Sequence, residues 1–541
     1  MYNTLRGFVS HQPSQREPLP GQVPNSAGGY SYQVDIWTQL ERFAILGTTG
    51  GTYYIKERDL TKQNLEAIDK CIASDPLRVL NTIVSISDEA RAPSNDPALF
   101  VLAKLYAAKL KPEVQVQVLA SLPKVARTFT HLSHFIAFLR KGKLRGIGRA
   151  LRSALANWWL DKPLKDVIYQ AIKYKARDGF SQKDVMVLCH LGTKAGNVPI
   201  QEVLHYLDYK RKGHPVRMVI PGVRPKEILQ LDAARELENP KTTEKRICEI
   251  VRAHKMPMEI ILTEHRSKEV YRAVFENALL GWQLRNLGNL GKVGLLTANH
   301  PEFVEAVCTR LLDEDAIKWS RIHPLNVFVA MNQYKKGKGD KGKGEWEVVP
   351  RVLDTLTDTF YRSFKYVEPS KKRILYAIDV SGSMHGTKCS GINDLPVHQA
   401  AGILAMVSAQ VEPNFRVMGF DTYAHIVPIS PRERVDDVAN TLRHIGGGGT
   451  DCGIPFIGAF QKGWEVDLFV SFTDSETWAG SRHVYPLLCE YRDKTGIKSR
   501  AINVAMAANS FTNFDIGDPL CLEIAGFDTS VPAVISHFAR G

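Results

Sequence analysis

Asp379, Ser381 and Ser383 alternate in the run Asp379-Val380-Ser381-Gly382-Ser383, directly after the apolar stretch Ile374 to Ile378. Thr450 and Asp474 follow downstream, Asp474 at the close of a second apolar run, Val466 to Phe472. Two carboxylates and three hydroxyls are hard oxygen donors, the set that suits Mg²⁺, which keeps waters and leaves a position for an acidic group from elsewhere. The expectation is a one-metal site built where two buried strands stop. Hydrolytic chemistry would need more. A haloacid-type phosphatase wants a second Asp where Ser381 stands, and no general base pairs with Asp379, so the chain reads as a non-enzyme. Gly446 to Gly449 lack the Lys-Ser/Thr of a phosphate-binding loop and are better explained by close backbone approach to the metal.

A second chemistry is carried by basic side chains. Between Arg140 and Lys183 stand twelve Lys and Arg against three Asp. Within it, Leu164 to Arg177 reads as one helix, with Ile168, Ala171 and Ile172 on its apolar stripe and Tyr169, Lys173 and Arg177 sharing the opposite face. Gly179 is placed to stop that helix, and Ser181 with Asp184 forms a capping box for the next. The result expected is a tight helical hairpin with bases projecting from one side. Lys and Arg grip phosphates, whereas discrimination among RNAs needs shape or bases splayed onto side chains such as Tyr169, Tyr174 or His190. Trp158 and Trp159 read as core.

The elements that must position these groups follow two grammars. From Asp96 to Gly294 apolar residues recur at three and four spacing, in runs such as Ala98 to Leu110, Gln182 to Leu191, Thr243 to His254 and Lys268 to Leu280, punctuated by Pro and Gly. Such antiparallel helix pairs predict an all-α solenoid of HEAT-like repeats, although no strict period is present. After Val367 strand-like runs (Ile374 to Val380, Phe415 to Phe420, Ala424 to Ile429, Val466 to Phe472, Ala501 to Met506) alternate with helical ones (Val397 to Val411, Arg434 to His444, Tyr485 to Arg492). That alternation predicts an α/β doubly wound sheet with ligands at the carboxyl ends of its strands. The Gly/Lys stretch Lys335 to Gly344 is expected to be a mobile basic loop, read first as solvated and second as an RNA contact. Residues 1–28, rich in Pro, Gln and Ser, carry too little apolar side chain to offset ordering entropy and predict a flexible tail.

Charge divides along the same line. Residues 371–541 hold 15 Lys plus Arg against 18 Asp plus Glu, and residues 1–370 hold 55 against 39. The whole basic excess therefore lies in the helical part, which points to a polyanion as partner, a nucleic acid phosphate backbone above all. Eight scattered cysteines show no two-residue spacing for zinc or redox chemistry and predict reduced, mostly buried thiols. There is no secretory signal and no run of about eighteen apolar residues, so the expected setting is the cytoplasm, with a nuclear fraction open and no membrane.

Several segments together resemble a known family. Gly50 to Ile55, Gly148 to Arg152, Lys173 to Gly179, Ser181 to His190, Leu284 to Gly288 and Arg321 to Pro324 are similar to the TROVE domain of the Ro ribonucleoproteins. Asp379, Ser381, Ser383, Thr450 and Asp474 resemble the metal-ion-dependent adhesion site of von Willebrand factor A domains. Together these resemblances imply a TROVE domain over 29–366, a ring of HEAT-like repeats, closed by a von Willebrand A domain over 367–541, the ring being monomeric. Also implied is binding of Y RNAs on the outer basic surface and of single-stranded 3′ ends of misfolded noncoding RNAs through a central hole, in RNA quality control. The RNA-binding residues implied are Lys173, Arg177 and His190, to which the basic cluster adds Tyr169, Lys175, Arg149 and Arg152. An alternative stays open, a protein-interaction scaffold in which Mg²⁺ at Asp379 recruits an acidic residue of a partner.

Overall fold

In a computed structural model, residues 13–49, 51–142, 144, 146–174, 176–191, 198–212, 226–339, 344–364, 368–389, 395–427, 430 and 433–540 are described. Between Ile36 and Arg362 the described residues form a succession of α-helices, most packing on neighbours close in sequence. Local chemistry starts them. Asp35 caps Ile36–Leu46 by accepting from the Trp37 and Thr38 amides, Asp75 followed by Pro76 opens the helix to Asp88, and Ser181 with Asp184 forms the expected capping box. Trp158 and Trp159 are fully buried, as their core reading required. All eight cysteines are free, six of them buried. No described helix is long and apolar enough to cross a membrane.

Beyond the helices lies a six-stranded sheet. Its strands are β3 (Ile374–Asp379), β4 (Phe415–Phe420), β5 (Ala424–Ile426), β6 (Leu468–Thr473), β7 (Arg500–Ala505) and β9 (Cys521–Ala525), in the order β5-β4-β3-β6-β7-β9. All neighbours are parallel except β5, which runs antiparallel to β4. Helices Val397–Val411 and Val531–Arg540 lie together on one side and Ile454–Gln461 and Val484–Thr495 on the other, so β3 and β6 are buried on both faces and read as unbroken apolar runs. The architecture is the expected helical solenoid followed by a doubly wound α/β domain. The expected domain boundary at 366–367 lies outside the described residues.

The two parts are joined along a polar seam. Arg42, on the first helix and fully buried, pairs with Glu523 of β9 at 2.6 Å and also donates to the carbonyls of Asn509 (3.0 Å) and Phe511 (2.8 Å). Arg91 pairs with Asp528 at 2.6 Å, and the Thr529 amide donates to the Arg91 carbonyl. From the far end of the solenoid, His323 meets the Phe527 carbonyl at 2.7 Å, while Arg321 reaches Asp88 at 3.0 Å. The last helices thereby return to the first, and the solenoid closes on itself.

Residues 13–28, which composition assigned to a flexible tail, are instead fastened to the α/β domain. Strand β1 (Val23–Pro24) pairs with β2 (Tyr30–Gln33), which pairs with β8 (Phe511–Thr512). The Gln15 amide donates to Asp451 (2.7 Å) and to the Arg482 carbonyl (2.9 Å), and the Asn25 amide donates to the Thr477 carbonyl (2.8 Å). Polar hydrogen bonds order this segment without a large apolar area, which an entropy argument from hydrophobicity cannot see.

The seam makes a quantitative prediction. Arg42→Met leaves the Glu523 carboxylate buried beside only its hydrogen-bonding neighbours Asn503 and Thr512, and should lower unfolding free energy by about 3–5 kcal/mol. Urea unfolding should show Arg42→Met/Glu523→Gln losing clearly less than the sum of the single variants; simple additivity would mean the pair is not coupled.

Candidate metal centre and nucleic-acid interface

The parallel register of β3 and β6, with Ile378 beside Phe472, sets Asp379 and Asp474 at adjacent strand ends. Backbone and side chains then fix each oxygen. Asp379 Oδ1 accepts from the Ser381 amide (2.9 Å) and Oδ2 from the Thr473 hydroxyl (2.6 Å). The Ser381 and Ser383 hydroxyls lie 3.1 Å apart. Asp474 accepts from the Glu476 amide (3.1 Å), and Asn509 ties the Asp474 carbonyl (2.7 Å) to Glu476 Oε1 (3.1 Å). The glycine loop packs against the backbone that carries them. The Gly382 amide donates to the Gly448 carbonyl (2.9 Å), Gly447 to Val380 (2.7 Å) and Gly448 to Asp421 Oδ2 (3.0 Å). At Gly446, with φ +79°, a side chain would meet the Val380 carbonyl at 2.3 Å, so close approach does require glycine there.

Asp379, Ser381, Ser383 and Asp474 come together, the Thr450 carbonyl accepts from the Trp478 and Ala479 amides just beyond Asp474, and all five side chains are buried. Burial, with the Asp474 charge adding, pushes the Asp379 carboxyl up to about 7. Burial also raises Asp474, against a Ser383 hydrogen bond, and raises Glu476 to about 9 with the Asp474 charge contributing. Among the described residues no Lys, Arg or His pairs with these acids. Thr450 Oγ1 is buried there without a hydrogen-bond partner. Two crowded carboxylates, a pair of serine hydroxyls and a buried threonine hydroxyl with no partner are together a donor set that would suit a hard divalent cation.

Sequence reasoning missed the supporting residues Thr473, Glu476 and Asn509, and also Tyr54. The Tyr53 amide of the helical part donates to Thr387 at 3.0 Å, bringing the Tyr54 phenol beside Ser383 and Trp478. Burial and the Asp474 charge raise that phenol's pKa. Its run Gly50 to Ile55 was visible as a family segment, but nothing in it signals a role at a site more than three hundred residues away.

The basic hairpin is present with one correction. Helix Leu164–Lys173 buries Ile168, Ala171 and Ile172 as predicted, and Val167 as well, and sets Tyr169 and Lys173 on its other face, where the ammonium donates to the phenol oxygen at 3.0 Å. However, the helix stops at Lys173 and not near Gly179. The Gln182 side chain captures the Gln170 (2.6 Å) and Tyr174 (2.8 Å) carbonyls, and Arg177 sits in a turn bridged to Phe180, with Asp178 and Gly179 both at positive φ. Arg177 is therefore exposed in the turn and does not share a helix face with Lys173. Arg152 and His190 meet at 3.3 Å, with Arg149 exposed one turn earlier on the same helix. The structure thus gives two pairs, Tyr169–Lys173 and Arg152–His190, with Arg177 in the turn that follows Lys173 along the chain. Lys175 lies outside the described residues. So does the tip of the Gly/Lys loop at 340–343, whose stem is held by the Trp346 amide donating to Gly337.

Comparison with known proteins agrees with both parts. The TROVE domain model matches residues 23–222 and 254–341, and the Ro60 vWA domain model matches 373–539. The chain is similar to the RNA-binding protein RO60 of Deinococcus radiodurans, 37% identical and covering all of both chains. It is also similar to the RNA-binding protein RO60 of Caenorhabditis elegans, 27% identical over 99% of this chain and 93% of that one. The crystal structure of the Deinococcus radiodurans RO (RSR) protein matches with TM-score 0.69 at 35% identity, covering 94% of this chain and all of the other. The chain belongs to the Ro60 family, a TROVE domain followed by a Ro60-type von Willebrand A domain.

Proposed function

We propose that this chain is a non-catalytic RNA-binding protein. It binds Y RNAs on the outer basic hairpin and takes single-stranded 3′ ends of misfolded noncoding RNAs through the middle of its helical ring, in RNA quality control. One observation carries the reading: the chain's entire basic excess resides on a solenoid closed by its own C-terminal domain, with Lys173 and Arg177 on the hairpin and Arg152 of the preceding helix meeting His190. The relatives' names as RNA-binding proteins support it. Phosphate contacts supply affinity without sequence information, so selection falls to shape: a closed ring admits a free single strand and rejects a folded one. His190 and Tyr169 place a ring beside each cation, suited to bases splayed from a helix.

At the strand ends, Asp379, Ser381, Ser383, Thr450 and Asp474 hold Mg²⁺ in this reading. The bound cation would supply a Lewis-acidic position for an acidic group of a partner, and the orphaned Thr450 hydroxyl supports cation binding there.

Two measurements follow. Lys173→Ala with Arg177→Ala should weaken binding of a Y RNA stem and reduce the slope of log K against log salt by about 1–2, read by filter binding across a salt series. An unchanged slope would remove that patch. For the metal, a folded-state pKa raised to about 7 means that the folded protein keeps a proton on Asp379 that the unfolded chain has released. Metal-free stability from this group is therefore greatest at low pH and is lost as pH rises toward 7, and a cation must displace that proton. Calorimetry and thermal unfolding should show Mg²⁺ binding and stabilising strongly at pH 8, weakly at pH 5.5, and not at all in Asp379→Ala.

A further inference from the structure

Beside Tyr169 and Lys173 the chain builds a cavity of about 310 Å³ to which nothing above assigns a role. Its walls come from four separate stretches: helix Leu164–Lys173, Gln230 of helix Leu229–Leu237, the turn after helix Glu244–His254, and the junction between helices Lys268–Asn277 and Leu280–Lys292. The volume lies at the lower end of the roughly 300–1,000 Å³ range of small-molecule sites, the scale of a single nucleotide. Two aromatic rings, Tyr169 and Trp282, line it together with Met256 and Met258. Leu279 stands at the rim 60% exposed, a large apolar side chain left in water. Lys165, Lys173 and Lys255 surround this apolar floor, against Asp166 and Glu259. Glu259 Oε2 is buried without a hydrogen-bond partner among the described residues, an acceptor awaiting an N–H. Lys255 is held at φ +52°, a left-handed conformation that sets the turn presenting Met256 to Met258.

Aromatic walls, an unmet acceptor and a cationic rim are the requirements of an unstacked nucleotide: stacking for the base, a partner for its N–H edge, ammonium groups for the phosphate. We propose that this cavity takes one unpaired nucleotide of the bound RNA, its base between Tyr169 and Trp282 and its phosphate at Lys173 and Lys255. The proposal rests on the RNA-binding reading and adds a place where that RNA is gripped by a base and not only by its backbone.

The probe is 5′-AMP, with inorganic phosphate as control, observed by saturation-transfer NMR on the full chain, while RNA affinity is followed separately by filter binding. Saturation should reach the adenine ring protons, and an RNA with an unpaired nucleotide should displace the AMP. Leu279→Glu, which alters an exposed position and places a charge over the base slot, should weaken AMP binding about tenfold, as loss of one base-stacking contact does. Tyr169→Leu should act in the same direction. Saturation equal in wild type and Leu279→Glu, displacement by phosphate alone, or RNA that binds without displacing AMP would each overturn the pocket while leaving RNA binding intact. Absence of RNA binding in the filter assay would instead sink the reading beneath it.

Discussion

A row of packed helices has two ends, and each leaves apolar surface exposed unless something covers it. In this chain both ends are brought to the same place, the edge of a sheet that the chain itself supplies last. Arg42 and Arg91 reach that edge from the first helices, His323 reaches it from the last, and Arg321 joins the last directly to the first through Asp88. The contacts are polar and mostly buried. Burial works against both partners of the central pair, lowering the Arg42 pKa and raising that of Glu523 against their mutual attraction. Such a pair adds little net stability over an apolar substitute, but a mismatched neighbour would leave a charge stranded, so what it fixes is register.

Closure of this kind sets where the charge lies. The bases belong to helices whose curvature is determined once the ends are joined, and the hairpin carrying Tyr169, Lys173 and Arg177 is held in turn by Gln182. The acids have a separate home. Asp379, Asp474 and Glu476 crowd the strand ends of the α/β domain, and the helical part touches that region through Tyr53 and Tyr54, while Gln15 binds Asp451 on the same loop system. Loading of the strand-end site and the integrity of the seam are thereby mechanically adjacent, although the two carry different chemistry.

Much of this was legible from residue order alone, and the exceptions share a cause. Strands β3 and β6 were readable because a doubly covered parallel sheet demands continuous apolar runs. Asp379 and Asp474 could be placed together because each stands where a buried strand stops. β9 was not recognised: its residues are only partly buried, and one of its side chains, Glu523, faces Arg42. The fastened segment 13–28 was missed because long-range amide hydrogen bonds leave no trace in hydropathy. Arg177 was placed on a helix that Gln182, nine residues after Lys173, terminates early. In each case a distant partner overrode a local rule.

The central claim is that a closed, basic helical ring selects RNA by its free single-stranded end. The most direct measurement is a competition between two RNAs of identical duplex, one blunt and one bearing an unpaired 3′ overhang, at physiological salt. The account predicts a clear preference for the overhang, retained when the duplex sequence is changed. Equal affinity for the blunt duplex would contradict it.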